Sequence, residues 1–203
     1  MALKHRGGMT AGELAELLGI TSMGVRRHLT ALERDRLVVY ELVQLGKGRP
    51  SYVYRLSKQA ENIFPKNYAL LANELLGHLA SEQGDVAVIH LFDRRAERRI
   101  RNAQARLEGL SFAERVAGLA EILNNEGYLA EWEQVDASTF YVREHNCAVH
   151  DIAEQFEAAC GSELAFISSL LPEAEVLREQ HLMAGQSMCA YRIRRRASDG
   201  AHD

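Results

Sequence analysis

The string from Thr10 to Leu56 admits few folds. Thr10 followed three residues later by Glu13 is the reciprocal cap of a helix start, and Gly19 stands where a helix ends in the left-handed region. Thr21 caps a second helix that runs to about Asp35. Its apolar positions Val25, Leu29 and Leu32 recur at i, i+4 and i+7 and form one buried stripe. Ser22, Met23, Arg26, Arg27 and Thr30 lie opposite that stripe. Small residues at the start of the second helix allow close approach to base edges, and arginines reach guanines or phosphates. Two β-prone runs follow, Val38–Gln44 and Tyr52–Leu56, around the basic turn Gly46-Lys47-Gly48-Arg49-Pro50. Helix, glycine turn, helix and hairpin in this order predict a winged helix-turn-helix, with Lys47 and Arg49 at the tip of the wing directed at phosphates or the minor groove.

Charge supports the same division. Residues 1–58 carry ten basic and five acidic side chains, 10 − 5 = +5, within a chain of formal net charge −4; the remainder is therefore −9. A basic head on an acidic body predicts that the head alone meets a polyanion. With 203 residues, there is room for two domains. No apolar run has the length of a bilayer span, and Met1–Arg6 lacks the apolar core of a signal peptide, so a cytoplasmic protein without membrane contact is expected. Only Met1–Gly8 precede the head motif, which predicts that the usual first helix of the three-helix core is truncated.

The rest of the chain reads as α+β. Leucines at 70, 71, 75, 76 and 79 mark a linking helix within residues 59–82, suited to pairing two copies so that two recognition helices address an inverted repeat. A hinge at 81–85 precedes an arginine-rich helix over 86–107, whose charged face reads as solvated. Ser111 and Glu114 repeat the capping-box spacing before a helix ending near Gly127. Strands follow around 131–133 and 139–144, then helix to Leu171, then strands over 176–183 and 188–193 in an antiparallel sheet. The predicted domains are 1–58 (winged helix), 59–82 (dimerisation helix), 83–194 (sensor domain) and 195–203 (disordered tail).

All three cysteines fall in the sensor domain as Cys147-x12-Cys160-x28-Cys189. An odd count in a reducing compartment argues against a disulfide framework and leaves metal ligation, a reactive thiol or plain core packing. Cys147 and Cys160 bracket one predicted helix, with Cys147 at its start, where the helix dipole favours thiolate. Cys189 shares a strand face with Tyr191 and Ile193. A Cys–His nucleophilic pair, Cys147 with His145 or His150, lacks an orienting group, so no enzymatic activity is expected.

Taken together, Gly-Ile-Thr-Ser-Met-Gly-Val-Arg-Arg-His-Leu, Gly-Lys-Gly-Arg-Pro-Ser-Tyr-Val-Tyr-Arg-Leu, Glu144-His-Asn-Cys147, Cys160 and the Glu179–Ile193 segment resemble the SufR family of DeoR/ArsR-like winged-helix repressors. The resemblance implies a homodimer that binds double-stranded operator DNA, holds an iron–sulfur cluster (4Fe-4S or 2Fe-2S) in each sensor domain, and represses the cluster-assembly (suf) operon. Cys147, Cys160 and Cys189 match the family's cluster ligands. The four-cysteine version of the family has a further cysteine where this chain has Ala174, which leaves a fourth ligand to His145, His150, Asp151, His181 or an exogenous group. Depending on hairpin register, either Leu182 or His181 stands opposite Cys189. Two alternatives remain: a zinc- or metalloid-responsive repressor using the same thiolates, and a small-molecule-binding regulator in which the cysteines are core.

Overall fold

The computed structural model describes residues 1–44 and 48–196. They form two compact units that meet in sequence between Lys66 and Asn67.

In the first unit the predicted caps act as drawn, while Leu32, expected in the buried stripe of the second helix, is exposed. The helix α2 (Ala11–Leu18) starts on a complete capping box: Thr10 N–H donates to Glu13 Oε2 at 2.7 Å and Glu13 N–H donates back to Thr10 Oγ1 at 3.2 Å. Gly19 closes it at φ 65°. The recognition helix α3 (Ser22–Arg34) starts on Thr21, whose hydroxyl accepts from Gly24 N–H at 3.2 Å. Strands β2 (Val38–Val43) and β3 (Ser51–Leu56) form the antiparallel wing.

The expected loss of the first helix is corrected. Residues Ala2–Arg6 form a short helix α1, ended by Gly7 at φ 72°, and Leu3 is buried. One turn suffices because the chain then makes β1 (Met9–Thr10), which pairs antiparallel with β3 and sets Met9 into the core beside Leu14, Val25, Leu29 and Val38. A buried side chain of this size contributes about 1.5–3 kcal/mol. Arg55 clamps the junction, donating to Gly7 O at 3.2 Å and pairing with Glu41.

The segment expected to be one helix over 59–82 is divided. Gln59–Ile63 is a 3₁₀ turn that belongs to the first unit, with Ala60 fully buried and Glu61 paired to Lys4. Pro65 disfavours helical geometry at Phe64, which is extended at φ −84°, ψ 143°.

The second unit opens with α4 (Tyr68–Gln83), broken from α5 (Asp85–Leu107) at Gly84, φ 80°. The capping box of Ser111 and Glu114 starts α6 (Phe112–Asn125). An antiparallel sheet of order β4-β5-β7-β6 is built from β4 (Ala130–Gln134), β5 (Thr139–Glu144), β6 (Ala174–Gln180) and β7 (Cys189–Arg195). Phe140, Val142, Tyr191 and Ile193 bury against Val116, Leu119, Phe166 and Ile167.

Two further expectations are corrected. The apolar stripe read as a single helix beyond Cys147 is two, α7 (His150–Ala153) and α8 (Ala158–Leu170). The strand β7 also reaches into the segment assigned to the tail: Arg195 N–H donates to Ser138 O at 2.8 Å and Arg196 N–H to Glu173 O at 2.9 Å. Residues 197–203 of that tail lie outside the described residues.

Candidate DNA interface and cysteine site

On α3 the buried stripe of Val25 and Leu29 turns Ser22, Met23, Arg26, Arg27 and Thr30 outward, and all five are exposed. Thr30 differs from the others, because its hydroxyl donates to Arg26 O at 3.0 Å and so is partly engaged by its own helix. Arg49 is exposed at the wing, while Lys47 lies outside the described residues. Arg55 on the wing strand is held by Glu41 and Gly7, so it is a structural residue.

The three cysteines come from three separate elements. Cys147 follows β5 in a loop fastened by Asn146, whose N–H donates to Tyr128 O and whose side chain donates to Gly127 O at 2.6 Å. It opens on a groove of about 450 Å³ lined by Tyr68, Ala69 and Ala72 of α4 and by residues 147–152. Cys160 sits buried in the first turn of α8, packed with Leu76, Val88, Phe92 and Ala159. Cys189 begins β7 and belongs to the sheet core. Folding nevertheless draws them to one region: Cys147 packs against the cluster that holds Cys160, and Cys189 pairs across the ladder with Glu144, three residues before Cys147.

All three thiols are less acidic than an ordinary cysteine. Burial is the main cause each time, and Cys160 is pushed up to about 11. The expected thiolate-favouring helix start at Cys147 is therefore corrected: α7 is one turn long, and desolvation outweighs its N–H groups. One backbone donor does point at sulfur, Leu182 N–H at Cys189 Sγ at 3.5 Å. Of the two predicted registers, the β6–β7 ladder, which shifts between Arg178 and Gln180 and ends on Gln180 with Ala190, leaves His181 next in line opposite Cys189, while Leu182 N–H reaches Cys189 Sγ at 3.5 Å.

Around the thiols lies a buried polar network that sequence reasoning missed. Arg99 of α5 donates to both oxygens of Glu163 on α8, at 2.9 and 3.0 Å, and also pairs with Glu126. Tyr128 donates to Glu163 Oε2 at 2.8 Å. Glu144, at the end of β5, is buried and held protonated toward about pH 8, chiefly by desolvation and secondly by Glu163. Its Oε2 accepts from Tyr191 at 3.4 Å, while Oε1 has no partner. Arg178 donates to Cys160 O at 3.2 Å, and its charge acts on Cys160, Cys189 and Glu144. A hydrophobic strand ending in glutamate carried no signal of burial; only the pairing of β5 with β7 under α8 creates it.

The predicted fourth ligands separate clearly. His145 pairs with Glu131 at 3.0 Å, and His150 faces Asp151 and Glu154; all three predicted candidates in this group, His145, His150 and Asp151, are exposed. His181 is half-buried, and its Nε2 is shielded without a partner. Burial first, and Arg178 second, hold its imidazole toward the neutral, ligating form. Three thiols, an unpartnered imidazole nitrogen and an unpartnered carboxylate oxygen are a donor set that fits iron or zinc. Among the described residues, no three such groups stand close enough, as placed, to hold a metal ion.

The first unit thus has the parts of a winged helix-turn-helix, a DNA-reading module of transcription regulators. Residues 2–41 match a family model described as a helix-turn-helix domain. No curated protein matches the sequence. Among solved structures, the phenol-responsive sensory domain of the transcription activator PoxR, with phenol, is 14% identical over 86% of this chain and 92% of that one, at a TM-score of 0.44. A trafficking protein particle complex subunit 3 from Naegleria fowleri, covalently bound to palmitic acid, is 14% identical over 66% of this chain and 98% of that one, at a TM-score of 0.40. Neither likeness is strong enough to bear on ligand or function. No described helix is long and apolar enough to cross a membrane.

Proposed function

We propose that this chain is an iron–sulfur-dependent transcriptional repressor that acts as a homodimer on an inverted-repeat operator and controls the cluster-assembly (suf) operon. The observation that carries the proposal is the convergence of Cys147, Cys160 and Cys189, from a loop, a helix start and a strand start, on one region of the second unit, in a chain with a helix-turn-helix head. The Leu182 N–H directed at the Cys189 sulfur is the kind of hydrogen bond that tunes iron–sulfur sites. A bound cluster would supply sensitivity to iron supply and to oxidants.

The protein's own part is mechanical. Ligation requires the Cys147 loop and the Cys189 hairpin to draw toward Cys160. The Cys147 loop is tied to α4, where Asn73 Nδ2 donates to Asp151 O at 2.9 Å. The helix α4 follows directly in sequence from the head. A shift of that loop on ligation can therefore alter α4, and with it the geometry of a dimer built on it; linkage requires only that ligation favour one geometry over the other.

A zinc- or metalloid-responsive repressor is the second reading, favoured by the unpartnered Nε2 of His181, the residue before Leu182, whose N–H meets Cys189 Sγ. Anaerobic isolation with visible absorption, metal analysis and a sulfide count separates them. Iron and sulfide together support the cluster. Zinc without sulfide supports the alternative.

A further inference from the structure

We infer that Glu144 supplies the non-thiolate donor of the Cys147–Cys160–Cys189 site, a carboxylate that takes the coordination place left by three cysteines. The inference rests on the metal-binding reading above and deepens it. Glu144 is 2% exposed, yet its Oε1 has no hydrogen-bond partner. A buried polar atom left unsatisfied is unfavourable, so a ligand at this oxygen would answer a cost the apo fold otherwise carries. The two preceding residues on the same strand face, Phe140 and Val142, are apolar core, as that face demands.

Position joins Glu144 to the thiols. The β5–β7 ladder pairs it directly with Cys189, an arrangement that brings Cβ atoms to about 4.5–5.5 Å. Cys147 follows three residues on, and the charge of Glu144 acts on both Cys147 and Cys189. The other buried carboxylate nearby, Glu163, is already committed to Arg99 and Tyr128. His181, whose Nε2 also lacks a partner, precedes Leu182, whose N–H meets Cys189 Sγ, and is the rival donor that a His181 variant separates from Glu144. Three thiolates and a carboxylate bring four negative charges, and Arg178 stands among them as a counter-charge. On ligation the carboxyl and the thiols release their protons to solvent and donate lone pairs, with no change of oxidation state in the protein.

The test uses the full chain and its Glu144→Gln, Glu144→Ala and His181→Ala variants, each reconstituted anaerobically with ferrous iron and sulfide. Iron and sulfide content, Mössbauer spectra on enriched iron and the rate of iron loss to a chelator are read. The wild type is expected to show one iron environment distinct from the thiolate-bound ones. Both Glu144 variants should lose that environment and release iron on the order of ten-fold faster or more. His181→Ala should match the wild type. Glu144→Gln keeps side-chain volume and burial, and circular dichroism of the apo proteins shows that each variant is folded. Wild-type spectra and release rates in the Glu144 variants overturn the assignment, as does loss of the distinct iron in His181→Ala alone. A wild-type chain that takes up neither iron nor sulfide overturns the cluster reading itself, a result distinguishable from failure of the ligand assignment.

Discussion

Arg99 and Glu163 join α5 to α8 through two hydrogen bonds, from Nη1 at 2.9 Å and from Nη2 at 3.0 Å, with both side chains buried. Glu163 lies one helical turn beyond Cys160, so the pair fixes the helix that carries the central thiol. Removing one partner leaves an uncompensated buried charge. Arg99→Ala or Glu163→Gln should therefore destabilise the second unit by roughly 3–5 kcal/mol, measured by denaturant unfolding. An unchanged midpoint in both variants contradicts a structural role for the pair.

Glu144 sets a pH dependence in the apo protein. Burial pushes its carboxyl up to about 8 in the folded protein, from an ordinary 4.5, so the folded state holds a proton that the unfolded state has released. Stability contributed by the neutral carboxyl is present below about pH 4.5 and is lost as pH rises toward 8. Apo Glu144→Gln should lack this component. Melting curves of wild type and variant between those limits should diverge with rising pH, the wild type falling faster; parallel curves refute it.

The head should unfold selectively when its caps are removed. Thr10→Ala deletes the hydroxyl that accepts from Glu13 N–H and should cost about 0.5–2 kcal/mol. Hydrogen exchange should show the loss in residues of α1–α3 and the wing, with protection in the sheet of the second unit unchanged.

Much of the head was legible in the sequence because its signals are local. Thr10, Glu13, Gly19 and Thr21 each specify a cap or a turn within four residues of themselves. The first helix was not legible, since five residues are too few to signal a helix and their stability comes from β1 pairing with β3, over forty residues away. The break between α7 and α8 escaped because Val149, Ile152, Ala153, Phe156 and Cys160 keep helical spacing straight across it. Arg99 looked like one more solvated arginine, and no local signal marked Glu144 as buried. Both are buried by tertiary packing that no local pattern encodes. Cysteine spacing pointed to a possible site, but only the fold showed that Cys147 packs against the cluster holding Cys160 and that Glu144 lies across from Cys189.

DNA affinity should divide the exposed residues of α3 by role. Arg26→Ala or Arg27→Ala at a phosphate should weaken binding to all duplexes and reduce the salt slope by about one; at a guanine it should cost about 1–3 kcal/mol and relax preference at one base pair. Arg49→Ala should behave as a phosphate contact. Arg55→Ala should instead lower the stability of the head, because Arg55 holds Glu41 and Gly7. Titrations at several salt concentrations, paired with melting curves, distinguish these outcomes.

The most direct measurement compares one protein in two states on one DNA. An inverted-repeat duplex is selected from random sequence by the anaerobically reconstituted chain, and affinity is then measured at fixed salt before and after the cluster is removed by chelator under reducing conditions. Cluster-dependent repression predicts a dimer that binds this duplex tightly when loaded and at least ten-fold more weakly when stripped, with affinity restored on reconstitution; a coupling of that size is about 1.4 kcal/mol. Equal affinity of the loaded and stripped protein contradicts it.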